Sequence, residues 1–217
     1  MEDEPPSFAH VVLGSASPRR RALLEAAGMS FSVLVPKVDE TIENDESPEQ
    51  AAIRLAKQKA AACLATSFDR PSIVVTADTI VVLDGHILGK PRNSTHALEL
   101  LTQLNGRTHQ VITGVAVTRT DIDSYPQQHD PSNRPHRYEG AVATDVSFGD
   151  WPESVLRGYV ETGECLDKAG AYGIQGQGGT LVTEVRGSVS NVIGLPIAQT
   201  LQWIQAAGGP PPFWGNR

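Results

Sequence analysis

In "SIVVTADTIVVLDGHILGKP", residues 72–91, β-branched side chains run on either side of a single acid and stop at Asp84-Gly85. Such a run predicts a long buried strand. Asp-Gly closes two-residue hairpins because both central residues of that turn need φ > 0, so a shorter return strand should lie antiparallel to the first. Upstream, "HVVLG" (10–14) and "FSVLVP" (31–36) read as strands with a helix after each, the alternation that builds a parallel sheet. Adding a hairpin makes that sheet mixed, so the fold class is α/β, a mixed sheet flanked by helices.

The helices mark their own ends. Ser17 as N-cap and Pro18 at the first helical position open a helix to about Ala27, where Gly28 stops it and Leu23, Ala26 and Ala27 supply an apolar face. Ser47, Pro48 and Gln50 form a capping box for a helix to about Ala65, with Ala52, Leu55, Ala56 and Cys63 toward the core. "THALELLTQLNG" (95–106) is a helix ended by Asn105-Gly106, and residues 108–120 and 138–148 are extended. A helix over about 152–162, a strand near "TLVTEV" (180–185) and a last helix over about 196–206 complete the chain. Residues 121–137 hold three prolines and almost no aliphatic side chains, which predicts a surface loop. The organisation expected is one domain over 10–207, between tails at 1–9 and 208–217.

Composition narrows the function. Eighteen basic and 25 acidic residues in 217 give a net charge of −7, which speaks against a general nucleic-acid or anionic-membrane binder, so a polyanion would have to bind locally. The two cysteines, Cys63 and Cys165, have no metal-ligand or CxxC spacing, and "MEDEPPSFAH" lacks the basic and apolar regions of a secretory signal. A cytoplasmic protein is expected.

Three places carry candidate chemistry. "VVLGSASPRRR" (11–21) is a strand, a small-residue turn and a helix start, the arrangement in which backbone N–H groups and the helix dipole hold phosphate. Ser15 and Ser17 add hydroxyls, and Arg19 and Arg20 lie in the first turn, where a cation opposes the dipole by ~0.3–1 kcal/mol unless an anion binds. Asp78 stands mid-strand on the face of Val74, Thr76, Ile80 and Val82, where an acid is depleted and costly to bury alone. If it is isolated there, Asp78→Asn should be as stable as the parent or more so. "VDETIENDE" (38–46) could bring one or two further carboxylates to Asp78 and make a magnesium site. In "AGAYGIQGQGG" (169–179) the glycines allow close backbone approach to a ligand, and Gln175 offers the donor and acceptor needed to read a nucleobase edge. Taken locally, Lys59 and Lys90 are ordinary surface lysines.

With "GSASPRR", "VDET", "RLAKQKA", "TADTIVVLDGHILGKP", "HQVITGVAV" and "LDKAGAYGIQGQGG" in this order over residues 10–206, the sequence resembles the Maf family of nucleoside triphosphate pyrophosphatases. The resemblance implies an elongated mixed sheet with two lobes and a central cleft, similar to inosine triphosphate pyrophosphatases. It also implies hydrolysis of a nucleoside triphosphate to monophosphate and pyrophosphate with a divalent cation, Mg2+ or Mn2+. Carried over, Ser15, Ser17, Arg19 and Arg20 look like the phosphate-binding start, and Glu40 and Asp78 like the acidic metal and catalytic pair. Which of the two acids is base and which is ligand stays open. Lys59 and Lys90 become cleft cations. Arg19, Thr79 and Gln175 match the subclass that prefers dTTP and UTP, whereas the 7-methyl-GTP subclass differs at all three. Cys165 for a usual proline, Asn105 for a usual serine and the length of 121–137 depart from the pattern. The partner expected is the nucleotide, with neither nucleic acid nor membrane, and a homodimer is left open. Two rivals remain: a nucleotide-binding regulator of cell division without turnover, and a pyrophosphatase with another base preference, such as 7-methyl-GTP or a modified pyrimidine triphosphate.

Overall fold

A computed structural model of the chain describes residues 8–43, 46–120 and 137–213. In chain order the elements are β1 (His10–Leu13), α1 (Pro18–Ala26), β2 (Phe31–Val33), α2 (Pro48–Leu64), β3 (Ser72–Leu83), β4 (His86–Leu88), α3 (Ser94–Leu104), β5 (Thr108–Arg119), β6 (Arg137–Phe148), α4 (Glu153–Glu161), β7 (Val182–Arg186), α5 (Val189–Ile193) and α6 (Ile197–Ala206). One mixed sheet runs β2-β1-β3-β5-β6-β7, with β4 paired to β3. β1 is parallel to both β2 and β3, and every other pairing is antiparallel.

The long strand of residues 72–83 is the axis of the molecule. β5 pairs along one side of it from Ile73 to Val82. On the other side β1 pairs as far as Val75 and β4 begins at Val81, so residues 76–80 have no strand beside them there. The hairpin that brings β4 back is the expected one, Asp84 and Gly85 having φ of 51° and 79°. Because β1 leads through α1 to β2 on one flank and β2 through α2 to β3 on the other, the carboxyl end of β1 is a point where strand order reverses, the usual place for a ligand crevice in an open α/β sheet.

Odd-numbered residues of β3 face two separate apolar clusters. Ile73, Val75 and Ala77 join Leu24, Leu195 and Ile204 at one end, and Val81 and Leu83 join Leu101, Leu104, Phe148 and Leu156 at the other. These are the two lobes, and the gap in the edge of β3 lies between them. The even face is covered by α2, whose Ser47/Gln50 capping box is formed and whose Ala51, Ala52, Ala56 and Ala60 are all buried. Alanines let the helix lie close. At Gly114 of β5 the contact is direct, since any Cβ there would collide with the backbone of Ala52.

Several expectations need correction. α1 turns Arg20 and Leu24 inward, whereas Ala26 is exposed and Leu23 only half-buried, because the buried arginine occupies the inner face. β2 covers three of the six residues expected, and β7 starts two residues late because residues 177–181 form a 3-10 turn. α5 was not anticipated. Arg137 belongs to β6 rather than to the loop, whose remaining residues 121–136 lie outside the described residues. At the tails, Ala9 is buried and donates to the Gly208 carbonyl at 3.2 Å, and Phe213 N–H donates to that of Ala27 at 2.9 Å. Cys63 and Cys165 are buried free thiols, and among the described residues no helix is long and apolar enough to cross a membrane.

One buried titratable group lies in the second lobe. His109 is 2 % exposed, packs edge-on against Phe148 and Tyr172, and shares a hydrogen bond between Nε2 and the Tyr172 hydroxyl at 2.8 Å. Burial holds its pKa down at about 4 from 6.5. The unfolded chain therefore binds a proton between those values that the folded chain refuses, and stability falls with pH across that window by roughly 3 kcal/mol, levelling off below it. Urea unfolding at pH 7 and pH 4.5 should show His109→Gln losing less stability on acidification than the parent; equal losses would refute the assignment.

Candidate active site

A cleft of about 580 Å³ opens at the gap beside β3, and all ten residues singled out from sequence line it: Ser15, Ser17, Arg19, Arg20, Glu40, Lys59, Asp78, Thr79, Lys90 and Gln175. Five basic side chains, Arg19, Arg20, Lys59, Lys90 and Lys168, face three acidic ones, Glu40, Asp78 and Asp167. The cleft is thus locally positive in a chain of net charge −7.

Asp78 is tolerated in β3 because it is not alone. Lys59, in the second half of α2, reaches it with Nζ to Oδ1 at 2.6 Å, and the same ammonium lies 2.7 Å from Glu40 Oε1. The Lys59 and Asp78 side chains are 9 % and 12 % exposed, that of Glu40 49 %. Thr76 donates its hydroxyl to the Ala56 carbonyl at 2.7 Å, pinning α2 to β3 one turn before the lysine. Burial works to raise the pKa of Glu40, but the hydrogen bond and charge of Lys59, then the charges of Lys90 and Arg20, carry it below its ordinary value. Lys59 is therefore no surface lysine; taken locally nothing in "RLAKQKA" distinguishes it, and at the level of sequence only the family resemblance gave it a place in the cleft. Lys90 is exposed at the rim.

The opposite wall is the start of α1. Ser17 caps the helix as expected, its hydroxyl accepting from Arg20 N–H, and the Ser15 hydroxyl accepts from Ser17 N–H at 3.2 Å. Arg20 is buried. Its guanidinium donates to the Gly194 carbonyl at 2.8 Å, to Ser15 Oγ at 3.2 Å and to Thr79 Oγ1 at 3.1 Å, all of them neutral oxygens. Burial lowers its pKa, opposed by the charge of Asp78, but arginine stays protonated. Thr79 is backed by Thr113 at 3.0 Å, whose hydroxyl reaches the Asn191 carbonyl at 3.1 Å, so α5 and the following Gly194 hold the arginine in place. Arg19 instead turns outward to Asp167 at 3.2 Å.

Asp167, Lys168 and Gly194 escaped the sequence reading. Asp167 and Lys168 sit in "LDK", ahead of the glycine-rich stretch, and are paired at 2.6 Å. The glycines also do something other than expected. Cβ atoms at Gly173, Gly176 and Gly178 would run into Lys168, Glu164 and Tyr159, so their missing side chains make room for protein rather than for ligand. Gln175 is exposed in the cleft, and its carboxamide makes no hydrogen bond among the described residues.

Two carboxylates bridged by an ammonium, facing a helix N-terminus that carries a buried arginine, can hold a polyphosphate and activate a water beside it. The donor set suits a hard cation. Among the described residues no third His, Cys, Asp or Glu joins Glu40 and Asp78, and magnesium takes one or two carboxylates together with substrate phosphates.

Residues 10–207 match the model of the Maf-like proteins, and the chain belongs to that family. Proteins named dTTP/UTP pyrophosphatase are among its relatives. That of Anaeromyxobacter dehalogenans (strain 2CP-C) is 43% identical over 203 residues, covering 94% of this chain and 96% of its own. Those of Escherichia coli O157:H7 and Symbiobacterium thermophilum are each 42% identical, over 88% and 92% of this chain and 89% and 95% of theirs. A solved structure, the nucleoside-triphosphatase / dITP/XTP pyrophosphatase from Mycobacterium abscessus, aligns over 66% of this chain and 76% of its own at 15% identity and a TM-score of 0.37.

Removing the ammonium would leave the buried Asp78 carboxylate without its partner and beside the half-exposed carboxylate of Glu40. Lys59→Met should reduce the unfolding free energy by about 3–5 kcal/mol. Asp78→Asn should reduce it by less, because Lys59 keeps Glu40, but it should not stabilise, contrary to the expectation for an isolated acid. Chemical denaturation of both variants checks the order; a Lys59→Met protein as stable as the parent would mean the cluster contributes nothing to the fold.

Proposed function

We propose that the protein is a nucleoside triphosphate pyrophosphatase that hydrolyses dTTP and UTP to the nucleoside monophosphate and pyrophosphate. The observation that carries this reading is the Asp78–Lys59–Glu40 cluster set across one cleft from the Arg20-bearing start of α1. A protein that only bound nucleotide would have little use for a pair of acids next to a polyanion. The relatives named for this activity agree with it.

The triphosphate is held by the N-terminal amides of α1, the hydroxyls of Ser15 and Ser17, and Arg20, whose neutral partners leave its charge for the ligand. Asp78 accepts the proton of a water that attacks the α-phosphorus. Lys59 orients its carboxylate and stabilises charge on the phosphates. What supports this division of roles is burial: Asp78 is fixed and mostly dry, whereas the half-exposed Glu40 suits a cation that keeps several waters. Glu40, with Asp78 sharing, would hold Mg2+ or Mn2+, which when bound supplies Lewis-acid stabilisation of the phosphoryl oxygens. Arg19, Lys90 and Lys168 receive the leaving pyrophosphate.

The apolar part of the cleft, with Val81, Leu88, Ile174 and Val192, takes the base, and Gln175 meets its edge. A carboxamide matches the alternating acceptor and donor of uracil or thymine. Thr79 contributes by holding Arg20.

Pyrophosphate release from a panel of dTTP, UTP, CTP, purine triphosphates and 7-methyl-GTP, with Mg2+ or Mn2+, tests the reading. dTTP and UTP should be preferred, pyrophosphate rather than orthophosphate should appear, and chelator should abolish turnover. Best turnover of 7-methyl-GTP would overturn the pyrimidine assignment, and binding without turnover would favour the regulator. Asp78→Asn should reduce kcat by ~10² or more while the protein stays folded at assay temperature.

A further inference from the structure

The segment carrying Gln175 is tied down on both sides by one acid and one phenol. Glu164 Oε2 accepts from Gln177 N–H at 2.8 Å, and Oε1 accepts from Gly178 N–H at 3.2 Å and from the Tyr159 hydroxyl at 3.0 Å. The Tyr159 oxygen in turn accepts from Gly173 N–H at 3.2 Å. Residues 174–176 are thus strung between two anchors that share a hydrogen bond. The glycines fit the same device: Gly176 leaves room for the Glu164 carboxylate, Gly178 for the Tyr159 hydroxyl, and Gly173 for the methylenes of Lys168. Lys168 hydrogen-bonds the Glu164 backbone carbonyl, which links a cleft cation to the same residue.

Gln175 has no side-chain partner of its own among the described residues, so within the protein only the backbone on either side limits where its carboxamide can reach. That backbone is anchored by Glu164, directly at 177–178 and through Tyr159 at Gly173. We propose that Glu164 is the positioning residue for base selection, acting from outside the cleft through the 173–178 segment to aim Gln175; the inference rests on the reading of Gln175 as the contact to the base. The acid is suited to the task. Burial works against its ionisation, yet the two backbone bonds, the Tyr159 bond and the charge of Lys168 hold its pKa below the ordinary value, so the anchor is charged at neutral pH. A glutamine of the same shape would turn an amide N–H toward one of the donors that the carboxylate now accepts, losing that bond and leaving two donors opposed.

The test is a double-mutant cycle on discrimination: kcat and KM for UTP and for CTP in the parent, Glu164→Gln, Gln175→Ala and the double variant, with the inhibition constant of inorganic triphosphate, which has no base. Glu164→Gln should reduce the UTP-over-CTP preference by about tenfold or more, with the change in KM rather than kcat, while inorganic triphosphate binds as in the parent. If the acid acts through Gln175, the double variant discriminates no worse than Gln175→Ala alone. Losses that multiply in the double variant, or equal weakening of UTP and inorganic triphosphate, would make Glu164 a general structural acid and overturn the proposal. Unchanged preference in Glu164→Gln overturns it while the reading of Gln175 stands. A parent without preference for UTP, or a Gln175→Ala variant that keeps it, overturns the reading of Gln175 and the positioning role together. Should Glu164→Gln not fold, Gly176→Ala displaces the same carboxylate from the side of the segment and replaces it in the cycle.

Discussion

The ion pair between Lys59 and Asp78 is the constraint around which the rest of the molecule is arranged. Two opposite charges removed from water recover their desolvation cost only with good geometry, and a hydrophobic pair of the same volume would often serve stability as well or better. Keeping the pair demands a helix close enough to the sheet for a lysine to end on a strand acid. The alanine face of α2, the bare Gly114 directly opposite Asp78 in the β3–β5 register, and the Thr76 bond to the Ala56 carbonyl all serve that approach. It also demands an opening for the acid, and the interval between β1 and β4 supplies one.

Arg20 is the counterweight. A buried guanidinium surrounded by the oxygens of Gly194, Ser15 and Thr79 is satisfied in hydrogen bonds but not neutralised by a carboxylate in direct contact. Its nearest acids act on it through space, across the cleft. A triphosphate bound as proposed would therefore meet positive charge without a direct carboxylate partner on one wall and an acid already held by a lysine on the other, a polarity suited to orienting it.

How far this could be read from the chain depends on range. Asp84-Gly85, Ser17-Pro18 and the Ser47/Gln50 box are local rules of backbone geometry and hydrogen bonding, and the elements they imply are present. Asp78 stood out because an acid in a β-branched run contradicts its neighbours. Lys59 entered only through the resemblance, because taken locally a lysine on a helix is unremarkable until its partner nineteen residues away is placed beside it. Arg20 misled the reading of α1 for the same reason: a polar residue took the inner face, which no amphipathic count assigns to it. The five-residue α5, rich in β-branched side chains, has no helical period long enough to detect. The glycines of 173–179 signalled crowding correctly, but what crowds them is Glu164, Tyr159 and Lys168, which only the folded chain brings there.

The interval beside β3 has a bearing on strand pairing between molecules. A strand with an open side presents backbone donors and acceptors that another chain could join, the usual beginning of edge-to-edge aggregation. Here the open side is confined to residues 76–80 and closed at both ends, by β1 before it and β4 after it, so an intruding strand would find only a short, interrupted template. It would also have to bring its own backbone past Asp78 and the charges around it. The two strand ends that frame the opening thereby also deny it to a pairing polypeptide.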